Sequence, residues 1–283
     1  FLSFGGCHAQ PYLALSRGSP AAAQGTMGTS FAAPTAMRSG TGVRAQFSDK
    51  LWAPAVKALL VHHATGDLAE RTQNGWGFLS HGLGDLVLCE DHEAHILYQR
   101  LMPTSGTVRL YLPLPDGLAG NVEIKATFSF FCEVNPEDAL NYTRGGLDIQ
   151  FRPDTTRIPP PYIKNGQVIT PTVPATDTFF SAKSFYATEH MQRGDAQKWE
   201  TTLTRTKNKR ASSLKQPAFD VSCISREHGH GGSRPTNMKL ALVLTLRNQS
   251  ARDLYDQVIL SSGNRLQPMR PRVGVTVPVR LSR

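Results

Sequence analysis

Apolar and mostly polar side chains alternate along Val122-Glu123-Ile124-Lys125-Ala126-Thr127-Phe128. This period of two predicts a strand with one face buried and the other wet. Leu240, Leu242, Leu244 and Leu246 form a second stripe of the same period. Short β-rich runs separated by Gly, Pro, Asn and Asp predict strands at 95–101, 107–112, 122–131, 146–151, 179–186, 199–205, 218–225, 239–248, 257–260 and 273–279. So many short strands at turn-punctuated spacing predict an antiparallel β-sandwich. The stretch 152–177, which holds Pro159-Pro160-Pro161 and few apolar groups, reads as a long surface loop.

The pattern before residue 90 is different. Residues 1–29 are rich in Gly, Ala, Ser and Pro and read as a loop leading to something. From Ser30, placed as an N-cap, a helix is expected, with Pro34 tolerated near its first turn. Gly40 and Gly42 cost that helix about 1 kcal/mol each against alanine, so packing must hold it. Residues 54–64 form a second helix that opens on Pro54 and stops before Gly66. After Gly75-Trp76-Gly77-Phe78 the helical spacing ends, which places a boundary near 90. The expected organisation is an α/β fragment over 1–90 followed by an antiparallel β-sandwich over 91–283.

Composition narrows the class without choosing a function. With 40% hydrophobic residues in a chain of 283, a real core can be buried and disorder is not the default. The net charge of +9 is spread along the chain and only 19% of residues are charged, so it is a mild bias. Cys7, Cys89, Cys132 and Cys223 are far apart with no CxxC pair, which suits a reducing, cytoplasmic compartment. No apolar run approaches the ~20 residues that span a bilayer, and no signal peptide opens the chain. The opening Phe1-Leu2-Ser3-Phe4 lacks a Met and reads as cut from something longer.

The segment with chemistry in it is Gly28-Thr29-Ser30-Phe31-Ala32-Ala33-Pro34. Glycine allows a tight turn, and a serine at a helix start can offer its own unpaired N–H to an oxyanion, aided by the helix dipole. Taken alone, Gly-Thr-Ser before a helix is what an ordinary cap looks like. The full string resembles the Gly-Thr-Ser-x-Ala-x-Pro signature around the catalytic serine of subtilisin-like serine proteases. Residues 55–64 look like that family's next core helix, and Gly75-Trp76-Gly77 like the turn closing its catalytic domain. The resemblance covers roughly residues 1–88. Leu112-Pro113-Leu114-Pro115-Asp116-Gly117 and the β region after it look like the C-terminal β-domain of a bacterial branch.

The resemblance implies an endopeptidase acting on protein or peptide substrates through an acyl-enzyme on Ser30, with Gly28, Thr29 and Pro34 shaping the substrate and oxyanion loop. No cofactor and no metal are expected. The resemblance also hints at an AAA-type ATPase partner. The family's Asp, His and oxyanion Asn precede the serine, whereas here only His8 does so, in Gly6-Cys7-His8-Ala9, with no Asp or Asn before Ser30. The expectation is a chain inactive alone, completed by an upstream segment or a second chain carrying Asp and His. The rival expectation is a non-catalytic β-sandwich interaction module in which Ser30 is only a cap. A third, polyanion binding, rests on the basic surface alone.

Other constellations are weaker. Cys223, His228 and His230 share a glycine-rich segment, but their spacing is not a known metal frame. His62 and His63 sit in the second helix, one expected to face the core and the other solvent. Asp67, Glu70 and Asp85 read as solvated acids. Arg205-Thr206-Lys207-Asn208-Lys209-Arg210, with Lys215, reads as a solvated hairpin, since no aromatics interleave it as nucleic-acid binding would require. Tyr98, Tyr111, Phe128, Phe130 and Phe131 are expected in the sandwich core.

Overall fold

The computed structural model describes residues 1–15, 23–47, 50–66, 71–80, 82, 84–86, 88–103, 105–137, 142–180, 200–225, 238–263 and 265–269. Strands β1 (Tyr12–Leu15) and β2 (Ala23–Thr26) form a hairpin, so a regular element stands where a loop was expected. Helix α1 spans Thr29–Phe47, α2 Ala53–His63 and α3 Arg71–Asn74. Strands β3 (Glu93–Leu101), β4 (Thr107–Tyr111), β5 (Asn121–Phe131) and β6 (Gly145–Arg152) follow. Then come β7 (Tyr162–Lys164), β8 (Gln167–Ile169), β9 (Thr202–Arg210), β10 (Ala218–Ser225), β11 (Lys239–Arg247) and helix α4 (Leu254–Ser261).

Two antiparallel sheets carry the fold, one ordered β3-β11-β5-β9 and the other β4-β10-β6. Among the described residues the structure is therefore mostly antiparallel sheet with few helices. The sheets bury Ile124, Phe128, Phe130, Leu240, Leu242 and Leu244 from one side against Leu110, Leu147, Phe151, Phe219 and Val221 from the other. At the centre, Phe219 lies 5.3 Å from Phe128 and 5.1 Å from both Phe151 and Phe179, in tilted and edge-to-face arrangements that aromatic quadrupoles favour. Of the expected core aromatics, Phe131 and Tyr111 are exposed. Tyr98 is partly buried and donates its hydroxyl to the Tyr111 carbonyl at 2.6 Å, with burial pushing its pKa up to about 12.

The outer face of the four-stranded sheet is not wet. Helix α2 lies on β5 and β11, and Ala55, Ala58 and Leu59 share a buried cluster with Ala241 and Val243 of β11 and with Val43 and Phe47 of α1. That is why Thr127, Ser129 and Thr245, polar positions of the alternating pattern, are buried. The two glycines of α1 are explained in part by this layer. A Cβ on Gly40 would lie 3.6 Å from the Leu60 side chain and 3.7 Å from that of Val56, so α1 and α2 approach closely there.

Three further expectations are corrected. The run 257–260 lies inside α4, where Leu254 and Val258, one helical turn apart, are the buried residues. The loop 152–177 contains the exposed β7–β8 hairpin, whose turn places Asn165 and Gly166 at φ 50° and 76°, the left-handed pair that Asn-Gly favours. The basic run is not a hairpin tip: β9 continues to Arg210, pairs with β5 throughout, and ties Lys207 to the Thr178 carbonyl and Lys209 to Asp177. The expected strand at 179–186 is described only at Phe179 and Phe180, and the one at 273–279 lies outside the described residues.

Candidate functional site around Ser30

Ser30 is the second residue of α1, not its cap, and is exposed. The cap position falls on Gly28, whose carbonyl accepts from Phe31 N–H at 3.0 Å and whose N–H donates to the Gly5 carbonyl at 2.9 Å. A Cβ on Gly5 would stand 2.4 Å from the Gly28 oxygen, so only glycine lets the 5–6 segment pass beneath the Ser30 loop. Tyr12 of β1 stacks on Phe31 at 5.3 Å, which fastens the β1–β2 hairpin to the helix start.

Pro34 lies inside the helix, in its second turn. It has no N–H to give the Ser30 carbonyl four residues earlier, so that carbonyl loses its helical partner. Among the described residues no hydrogen bond engages the Ser30 side chain. The N–H groups of a first helical turn have no partners inside the helix, and the dipole makes that end attractive to negative charge. A hydroxyl and an N–H at this position can in principle serve nucleophile and oxyanion donor together.

Ser30 shares its helix face with Ala33, Pro34, Met37 and Thr41, all exposed, while Val43 and Phe47 on the opposite side are buried against α2. Met37 is 71% exposed, and Leu13 and Leu15 of the adjoining hairpin are 69% and 84% exposed. These are large apolar side chains left in water.

The other candidate residues do not converge on Ser30. His8 is exposed in the segment before β1 and makes no hydrogen bond to Ser30. Asp67 and Glu70 lie outside the described residues, as do His228 and His230, and Asp85 falls in the short 3-10 turn Gly84–Leu86. Cys223 sits on β10 with its thiol 4.0 Å from the Met238 sulfur.

A second polar cluster, missed by the sequence reading, lies under α2. His62 is buried and bonds Thr127 Oγ1 at 2.8 Å through Nδ1 and Thr245 Oγ1 at 2.7 Å through Nε2. Burial, then the neighbouring His63, Lys125 and His95, hold its pKa well below the ordinary histidine value. His63 does not face solvent as expected: its ring packs 5.0 Å from that of His62 and 5.1 Å from that of His95. His95 Nε2 lies 3.6 Å from Glu93 Oε2, and burial lowers its pKa as well. Burial alone would raise the Glu93 pKa, but the Arg247 guanidinium holds it below the usual carboxylate range. The signal that could have found this cluster is the run of hydroxyls on alternate positions opposite the apolar stripe.

Glu90, His92 and Glu93 come close enough together to be considered for a cation, but Glu93 is already committed to Arg247. A third charge cluster sits on the three-stranded sheet: Asp220 accepts from Arg109 at 2.6 and 2.8 Å and from Arg152 Nε at 2.9 Å. Among the described residues no helix is long and apolar enough to cross a membrane.

No family model matches the chain, and no curated protein matches it. Among solved structures, 64% of the chain is similar to the VP2 subviral particle of infectious bursal disease virus, at 10% identity and a TM-score of 0.26. For the T13 particle of the same virus the figures are 58%, 8% and 0.26, and for dimeric latent PorU from Porphyromonas gingivalis 57%, 10% and 0.25. The chain spans 36%, 34% and 13% of those three chains. Likenesses of this size carry no argument about fold or activity.

Proposed function

We propose that the chain is the C-terminal portion of a subtilisin-like serine endopeptidase, with Ser30 as the nucleophile and an α/β catalytic fragment over residues 1–90 leading into the sandwich. In the complete protease the Ser30 oxygen attacks the scissile carbonyl and its proton passes to a histidine supplied by an upstream segment or second chain. The Ser30 N–H holds the oxyanion, the leaving amine takes the proton back, and water then releases the acyl group.

The observation that supports the reading is the exposure of Ser30 at the start of α1, on the helix face where Met37 is also uncovered. The serine stands exposed at a helix start with no base or acid bonded to it among the described residues, and Met37 on its helix face and Leu13 and Leu15 of the β1–β2 hairpin are left in water. A chain folded around a mere helix cap has no reason to keep these side chains uncovered, whereas a missing catalytic segment would both cover them and deliver the base. Gly28 sets the turn before the helix, and Thr29 and Pro34, in its first two turns, border the surface on which substrate would lie.

A fluorophosphonate probe tests this. The chain alone is expected to leave Ser30 essentially unlabelled, and the product that includes the upstream coding sequence is expected to label at Ser30 and to lose labelling in Ser30→Ala. Rapid labelling of the isolated chain would overturn the claim that the base comes from elsewhere. A longer product that folds but does not label at Ser30 would overturn the protease reading.

A further inference from the structure

Residues of an antiparallel strand alternate between the two edges, every second one bonding to a given neighbour. Met102 N–H donates to the Met238 carbonyl at 2.9 Å and Asn248 N–H to the His92 carbonyl at 3.0 Å, which fixes the phase of β3 against β11. Ala94, Ile96, Tyr98 and Arg100 therefore bond to β11, and the odd-numbered residues turn their amides and carbonyls to the opposite edge. That edge carries no other strand among those described, since β3 ends the order β3-β11-β5-β9.

Two of the outward N–H groups are used locally, Glu93 on the Glu90 carbonyl at 2.9 Å and His95 on the Cys89 sulfur. Those of Leu97, Gln99 and Leu101 meet no acceptor among the described residues. A row of open amides on an edge strand is a template for another strand unless it is covered or blunted.

From His95 to Arg100 this edge lines a cavity of about 780 Å3, and Leu101 continues it just beyond. Phe47 at the end of α1 and Leu51 before α2 make one wall, and Tyr255 and Ile259 of α4 make the other. A strand laid on the edge would send alternate side chains to these two apolar walls. The lining includes Lys50, Arg100 and Arg265 and no Asp or Glu, and neither Lys50 nor Arg100 has an acidic partner among the described residues.

We infer that this groove binds an extended, acidic peptide segment of a partner protein, which adds to the free edge of β3 as a fifth strand with its carboxylates on Lys50, Arg100 and Arg265. Charge selects this occupant. The chain's own end, residues 270–283, holds Arg270, Arg272, Arg280 and Arg283 and no acid, so it would bring cations to a cationic groove.

The test is fluorescence anisotropy of the intact chain with labelled Glu-Val-Thr-Val-Glu-Val-Glu and its Lys-for-Glu counterpart. The acidic peptide is expected to bind about tenfold more tightly or better, the ratio that roughly one good charge-assisted contact provides. Lys50→Glu with Arg100→Glu is expected to reverse the order. Leu101→Pro removes an outward N–H without touching the bonds to β11, so it is expected to weaken the acidic peptide while leaving the unfolding midpoint nearly unchanged. Should that variant not fold, protection of the Leu97 and Leu101 amides from hydrogen exchange on peptide binding reads the same contact. Equal binding of the two peptides, no binding up to millimolar concentration, or indifference to the charge reversal would overturn the inference. Binding that emerges only after removal of residues 270–283 would overturn it too, by making the chain's own end the occupant.

Discussion

His62 is the polar anchor between the helical layer and the sheet, and its removal makes a pH-resolved prediction. In His62→Leu the apolar volume is largely kept while both imidazole bonds are lost. Thr127 retains Thr204 Oγ1 at 2.7 Å, but the Thr245 hydroxyl loses the imidazole, its one partner among the described residues. A buried hydroxyl left unmatched costs about 1–3 kcal/mol, so the variant is expected to lose that much at pH 7.5. Acid changes the comparison. Because the folded-state pKa of His62 is lowered, the unfolded chain binds the proton more readily, and the wild type's stability is full above the unfolded value near 6.5 and falls as pH drops below it. The loss approaches about 1.4 kcal/mol per pH unit for one such group, so between pH 7.5 and 5.5 the gap between wild type and His62→Leu should narrow by up to about 1.4 kcal/mol. His95, also lowered by burial, contributes to both proteins alike. Asp220 and Glu93, held below the usual carboxylate range, lose their contribution only as pH falls through the acid range, below this window. Urea unfolding followed by Trp fluorescence suits the measurement, since Trp52 sits at the start of α2. Two curves running parallel from pH 7.5 to 5.5 would refute the reasoning.

Two other perturbations probe separate parts of the fold. Asp220→Ala leaves Arg152, whose side chain is 9% exposed, without its carboxylate, and is expected to cost about 3–5 kcal/mol by chemical denaturation, with a smaller loss in the Arg109→Ala variant, where Asp220 keeps Arg152. Gly5→Ala forces a methyl onto the Gly28 carbonyl, so it is expected to cost roughly 1–3 kcal/mol locally and, in a protease completed by its upstream segment, to slow fluorophosphonate labelling of Ser30 while leaving the far-UV circular dichroism of the sandwich unchanged.

The sandwich strands were legible because their faces differ: a leucine at every second position of β11 must point one way. The same alternation misled about the other face. Thr127 read as a solvent position, yet α2 covers this face of β5, and a threonine's hydroxyl is equally at home bonded to water or to a buried imidazole. Helix α4 was read as a strand because Val258 and Ile259 have high β-propensity in so short a run, while its burial follows the i, i+4 pair Leu254 and Val258. The β7–β8 hairpin carried its own signal, Asn165-Gly166, which the prolines around it outweighed. Ser30 was legible as the start of a helix through Gly28, but its displacement to the second helical position was not, since boundaries of helices shift by a residue or two on local bonding.

The placement of Ser30 also explains why the rest of the candidate site is spread rather than gathered. Helix α1 is anchored at its far end, where Val43 and Phe47 are buried against α2. Its first turn is held instead by Tyr12 stacked on Phe31 and by the backbone contact of Gly5 with Gly28. The serine thus stands on the end of the helix that the sandwich does not support, and the polar cluster at His62 belongs to the layer that the sandwich does support. An imidazole locked between two threonines cannot also serve Ser30 as a base, because both its nitrogens are committed. A base for Ser30 would therefore have to come from somewhere other than His62, and a segment bringing one across the exposed face of α1 would also cover Met37.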